Sequence, residues 1–399
     1  MMTAGSRQRR RGWAFGADAR MLFPLALLVA VSVLFALVWQ SVGEQSDYAT
    51  SERDGVRYIQ ALGPLEIALT NAESAAVNGE TAPREPLTRA IEAVALVDKE
   101  LSGSLRTQDR WTELRTKIES LPTSGAGAAV ISAYGGANDL LLALMDKVRN
   151  TSKLIRDPEA DTYYLEDGAA QELPEGIVAA ALYTDLLVSV AKQSAADQAK
   201  AVVDISSAKS DLASNAQDLS DDVRLAVEGS DGGGLGAALL SKLDRFNRSI
   251  DNLVPLMASL QAGKGVDAAK VIKARDETQT AAADLSAALL TQIDGALHDR
   301  LSSLSHRRLL AIGILVVSVL VALAPIGLGL LARRRSATAI PAKAPAHQAP
   351  AHQAPEPEPE PAPAPVPVPV PGPAQWPDPG PYNNSNSDYA QWERFGAPQ

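Results

Sequence analysis

The chain has 399 residues, 46% of them hydrophobic and 5% aromatic, and no cysteine, which excludes disulfides, thiol catalysis and cysteine-built zinc sites. Few aromatics beside abundant Ala, Leu, Asp and Ser favour helices packed through small residues over a sheet-based core. The net charge of -10 divides as +4 over residues 1–40, -13 over 41–308 and -1 over 309–399, and so acidic a middle argues against nucleic acid as a partner.

Residues 1–20 form a basic N-terminus with Arg7, Arg9, Arg10, Arg11 and Arg20, and Met21 to Trp39 then runs without a charge. Such a run is long enough to cross a bilayer as a helix and too long for the core of a signal peptide. Residues 21–40 are therefore expected to be a retained first span, with Trp39 at the interface. A second uncharged run, Leu309 to Ala332, is closed by Arg333, Arg334 and Arg335. The arginines beside the two runs put both chain ends in the cytoplasm by the positive-inside rule.

Between the spans, residues 41–308 read as helix throughout. Val56, Ile59, Leu62, Leu65 and Leu69 share one face, and Leu212, Ala216, Leu219, Val223 and Ala226 alternate steps of four and three, as a coiled-coil seam does. Breakers mark five corners: Asn78-Gly79 to Pro86, Leu121 to Gly125, Asp157-Pro158, Gly229 to Gly234, and Gly263 to Gly265. Five corners predict six helices. Gly63-Pro64 and Leu173-Pro174 fall inside helical stretches and are expected to bend them without ending them. The segment from Glu159 to Glu228 would span on the order of 100 Å as one helix, and two stacked bundles sharing it would reconcile the lengths. The expected fold is all-α: a two-pass membrane protein with an elongated antiparallel helical bundle.

Residues 156–167 lie midway along this segment. Asp157 suits an N-cap, Pro158 the first helical position, and Glu159 and Asp161 place negative charge at the positive end of a new helix. Two readings stand side by side here. Arg156, Asp161, Tyr163 and Tyr164 could line a ligand pocket between helices, with Arg156 pairing a carboxylate, or the Asp-Pro could cap while the tyrosines pack a corner. Arg53 and Arg57 invite an anion site, or else pairs with neighbouring acids.

After Arg335 the composition changes. Residues 333–399 repeat Ala-His-Gln-Ala-Pro at 346 and 351, then alternate Glu-Pro, Ala-Pro and Val-Pro to Pro371, a segment expected to stay disordered or extended as polyproline II. Aromatics return at the end, where Tyr389, Trp392 and Phe395 would share one side of a short helix. That cluster is a candidate contact for a cytoplasmic protein. No phosphate loop, nucleophile elbow or paired histidine is present, so no catalytic residue, metal ligand or cofactor is expected and the chain reads as no enzyme.

Glu52-x-x-Gly55-x-x-Tyr58, Thr107-x-x-x-Trp111-x-x-Leu114 and above all Asp157-Pro158-x-x-Asp161-x-Tyr163-Tyr164-Leu165-x-Asp167 followed by Leu173-Pro174 resemble the helical sensing ectodomain of some bacterial chemoreceptors and sensor histidine kinases. The resemblance covers residues 45–180 and implies a periplasmic bundle between two inner-membrane spans, a homodimer, and small-molecule sensing. It stops where that family has a HAMP linker and a transmitter. The expected function is thus a membrane-anchored sensor whose bundle binds a small ligand or partner, with a scaffold that recruits a partner through its tail as the alternative.

Overall fold

The structure, a computed structural model, describes residues 15–125, 127–157, 159–230, 236–262 and 265–337. Expectations placed on Pro158, on the Gly232 loop and on Tyr389, Trp392 and Phe395 lie outside the described residues.

The described residues are helical and contain no strand. Helix α1 spans Phe15–Asn78 and ends at Gly79, whose φ of 81° suits a residue without a Cβ. Helices α2 (Arg84–Leu105), α3 (Gln108–Glu119) and α4 (Ala128–Ser152) follow, and one short turn, Leu154–Arg156, leads to the Asp157 corner. Helix α5 (Ala160–Asp167) passes without a break through a wide π turn, Gly168–Glu172, into α6 (Leu173–Ala191). Pro174 has no N–H to offer the Ala170 carbonyl, and the loosened turn just before it accommodates that loss. Helices α7 (Ala195–Gly229), α8 (Gly236–Leu253), α9 (Met257–Gln261) and α10 (Ala268–Ala337) complete the order.

Helices α1 and α10 run antiparallel, because their partners climb one helix while descending the other. Arg308 lies over the Trp39 ring, Arg300 donates to Glu52, Arg53 pairs with Asp294, and Arg275 and Gln279 both reach Thr70. The α5–α6 segment and α7 form an antiparallel hairpin, with Asp161 beside Gly229, Gly168 beside Leu219, and Gly176 beside Asn215. One core cluster unites Leu62, Leu65 and Leu69 of α1 with Leu141 and Leu144 of α4, Tyr183 of α6, Leu212 and Leu219 of α7, and Leu285 and Leu289 of α10. Every residue of the two apolar faces read in the sequence is buried.

Four differences from the sequence reading have physical reasons. The helix expected from 86 to 121 breaks at Arg106, in the left-handed region at φ 54°. Buried Asp98 fixes that break by accepting from Tyr58 Oη at 2.8 Å and Thr107 Oγ1 at 2.7 Å. The long helix expected from 159 to 228 turns back at Lys192–Ser194, where Lys192 Nζ donates to the Asn78 carbonyl and Ser194 accepts from the Asp197 N–H, so this segment is not one shared helix. Asp157 is not the N-cap, since α5 starts at Ala160 with Glu159 in the extended conformation before it. Its carboxylate instead accepts the Glu159 N–H at 2.8 Å, an Asx turn that shapes the corner. Finally, Arg53 and Arg57 pair with Asp294 and Glu100 on other helices, not with acids on their own helix.

Among the described residues, four helices are long and apolar enough to cross a membrane. Their packing divides them. The apolar windows of α4 and of the α5–α6 segment are 44% and 72% buried, as interior helices should be, whereas those of α1 and α10 are 6% and 0% buried. Leu27, Val33, Leu34 and Leu37 on α1 and Leu310, Ile314, Leu320 and Val321 on α10 are exposed, an apolar surface unsuited to water.

Candidate functional site

Three residues of α1, spaced so that they share one face, grip the corner that precedes α5. Tyr48 Oη donates to the Arg156 carbonyl at 2.5 Å, and Lys153 lies over the Tyr48 ring at 4.6 Å. Glu52 sits one turn on, fully buried. Gly55 completes the face: a Cβ there would stand 2.3 Å from Ser152 Oγ and 2.5 Å from Ser152 Cβ, so only glycine lets α4 end against α1.

Arg300 of α10 enters this junction from the other side. Its Nη1 donates to Glu52 Oε2 at 3.1 Å, and its Nη2 to both Asp157 oxygens at 2.9 and 3.0 Å. The same Nη2 also pairs with Glu159 Oε2 at 2.9 Å. One guanidinium therefore ties α1, the corner and α10 together. Glu166 of α5 is a further buried acid at the junction, 1% exposed, and among the described residues neither of its oxygens has a hydrogen-bond partner; Glu52 Oε1 and Arg300 Nε are likewise unpartnered there. Carboxylate oxygens of Glu52, Asp157 and Glu166 lie within 4.8 Å of one another. Burial, then the neighbouring Asp157, pushes Glu52 up to about 8 and Glu166 up to about 10. Asp157 is raised too, chiefly by burial, although the Glu159 N–H and Arg300 pull it back.

A cavity of about 610 Å³ opens beside the junction, lined by Tyr48, Glu159, Asp161, Thr162, Arg300 and Arg307 among others. Of the four residues singled out in the sequence, Asp161 is the one that lines it. Arg156 is exposed. Tyr163 and Tyr164 meet edge to face with ring centroids 5.4 Å apart. Tyr164 packs against the core, while Tyr163 faces Asp167, whose charge is the first cause of its raised pKa. The four do not converge on one cavity.

Around the π turn a second acidic grouping forms. Asp167, Glu172 and Asp222 bring carboxylate oxygens within 4.8 Å of one another, and Arg149 donates to Gln171 and Asp167. Burial first, then neighbouring acids, pushes Glu172 and Asp222 up to about 7.

Farther along α1, a groove of about 780 Å³ is lined by Gln60, Pro64, Glu66, Ile177, Ala287 and Leu290, among others. Its lining is mostly apolar, with Glu66 as the buried acid: 1% exposed, with Oε1 unpartnered and its pKa pushed well up by burial. Pro64 has no N–H to offer the Gln60 carbonyl. Beyond the groove lies a buried polar network. Asn138 donates to Glu73 at 2.8 Å, Ser74 donates to Asp185 at 2.5 Å, and Arg275 donates to the Thr70 carbonyl at 2.6 Å.

Sequence reasoning missed Glu66, Glu166 and Arg300 as site residues because nothing in their local spacing marks them. One signal was available for Glu66: it sits inside a leucine face, between Leu65 and Leu69, where an acid is out of place. Comparison with protein-family models, with curated proteins and with solved structures finds no match to this chain.

Proposed function

We propose that the chain is a membrane-anchored sensor: α1 and α10 cross the membrane through residues 21–40 and 309–332, and the helical domain between them binds a small ligand. The observation that carries this reading is the continuity of α1 and α10, each a single helix from an exposed apolar segment into the core, with Arg300 tying both to the Asp157 corner. A helix transmits a displacement along its axis as a stiff rod, so movement at the junction has a direct route to both apolar segments. The groove at Glu66 is the ligand site that fits best. Its volume lies in the range of small-molecule pockets, α1 and α10 line it together with residues of α2 and α6, and a single buried acid would orient one polar group of an otherwise apolar ligand.

A thermal-shift screen of the full chain in detergent against small metabolites tests the reading, since a ligand that binds the folded form raises the midpoint. A hit should be lost in Ala287→Phe, which fills the groove from an exposed position. A hit that survives this change would place the ligand elsewhere, and the absence of any hit would leave the domain without a sensing role.

A further inference from the structure

The junction of α1, the Asp157 corner, α5 and α10 holds more acid than its one arginine can satisfy. Ionised, Glu52, Asp157, Glu159 and Glu166 carry four negative charges against the positive charges of Arg300 and of Lys153, which also acts on Glu52, leaving an excess that one divalent cation cancels. Three carboxylate oxygens, Glu52 Oε1 and both of Glu166, are buried without a hydrogen-bond partner among the described residues. A buried carboxylate oxygen without a donor or a cation is costly, and paired structures avoid it. The geometry is also that of a ligand set. Glu52, Asp157 and Glu166 offer oxygens within 4.8 Å of one another, a span that two metal–oxygen bonds of ~2.4 Å bridge.

We propose that Glu52, Asp157 and Glu166 bind a hard divalent cation, with calcium the best fit. An all-carboxylate donor set suits calcium, magnesium or manganese over zinc or copper. Calcium tolerates irregular coordination, with water completing its shell, and the cavity of about 610 Å³ lined by Arg300, Glu159 and Tyr48 lies next to the triad, although none of the three acids lines it. Arg300 keeps its bonds to Glu52 Oε2, Asp157 and Glu159 and holds the Asp157 carboxylate in place. The proposal rests on this triad and is independent of the groove at Glu66 and of any sensing role. Its rival is that protons, not a cation, neutralise the surplus acids.

The test uses the full chain in detergent, stripped of metal with a chelator. Adding Ca²⁺ to about ten times its dissociation constant or more should raise the unfolding midpoint by about 2–4 °C or more, and equilibrium dialysis with radioactive Ca²⁺ should saturate at one strongly held ion per chain. Glu166→Gln, which mimics the neutral acid, should abolish the shift and the bound ion. Asp222→Asn, in the other acidic grouping, should leave both unchanged. Absence of a shift and of bound ion with Ca²⁺, Mg²⁺ and Mn²⁺ at millimolar concentration overturns the proposal. So does retention of the strongly held ion in Glu166→Gln, or its loss in Asp222→Asn. If Glu166→Gln does not fold, Glu52→Gln replaces it with the same expected loss.

Discussion

At the scale of single residues, the junction depends on a glycine and an arginine. Gly55→Ala places a methyl group against the side chain of Ser152, itself at the end of a packed helix, and overpacking of this kind costs about 1–3 kcal/mol. An unchanged midpoint for that variant would show that α4 can retreat. Arg300→Ala strands the buried Asp157 carboxylate and removes the tie between α1 and α10; breaking a buried pair from one side costs about 3–5 kcal/mol. A loss under 1 kcal/mol in chemical denaturation would contradict the clamp. The buried network on α1 predicts a pH dependence of its own. Burial pushes Glu73 up to about 8 and Asp185 up to about 6 in the folded chain, from ordinary values of 4.5 and 3.8. Folding therefore takes up protons between those limits. The stabilising contribution is complete below about pH 4 and is lost as pH rises through 6 and then 8. Denaturation in chelator should show stability falling across that window, less steeply in Glu73→Gln, and a flat profile would contradict the burial of these acids.

At the scale of elements, the sequence displayed helices better than it displayed their ends. The periodic leucines of α1 and α7 are legible because a helix buries one face, and five corners are legible because Gly, Pro and Asn do what other residues resist. Two corners were not legible in that vocabulary. Arg106 adopts a left-handed conformation because Asp98, Tyr58 and Thr107 hydrogen-bond around it, an arrangement made by the tertiary fold. The turn at Lys192–Ser194 contains neither Gly nor Pro, yet it did leave a mark: Ser194 followed by Asp197 is the spacing of a reciprocal cap. Ser194→Ala should cost about 0.5–2 kcal/mol and loosen the start of α7, measurable as faster amide exchange over residues 195–200. Exchange no faster than in the parent chain would mean that packing alone sets that turn. The site was less legible than the fold, since Glu52 and Arg300 are far in sequence from Asp157 and Glu166, and the four meet only when α1 and α10 pack against the Asp157 corner. Of the motif around residue 157, Asp157 is the acid that Arg300 clamps and Asp161 lines the neighbouring cavity, while Arg156, Tyr163 and Tyr164 do not line it.

At the scale of the whole molecule, the account comes down to two exposed apolar segments. Hydrophobic residues that a folded domain leaves uncovered over whole helical turns need lipid or a partner around them, and the proposed sensor, by the positive-inside rule, keeps both ends in the cytoplasm. Both segments leave the same end of the antiparallel α1–α10 pair. If they cross one bilayer, the helical domain lies wholly on one side of it. The absence of cysteine from the sequence makes the question accessible to single-cysteine labelling. Val203→Cys, on an exposed position of α7, should react in intact bacterial cells, after permeabilisation of the outer membrane, with a maleimide that cannot cross the inner membrane. Ser6→Cys and Ser385→Cys should react only after lysis. Protection of Val203→Cys in intact cells, or labelling of either terminal cysteine there, would contradict a sensor held outside the membrane on two spanning helices.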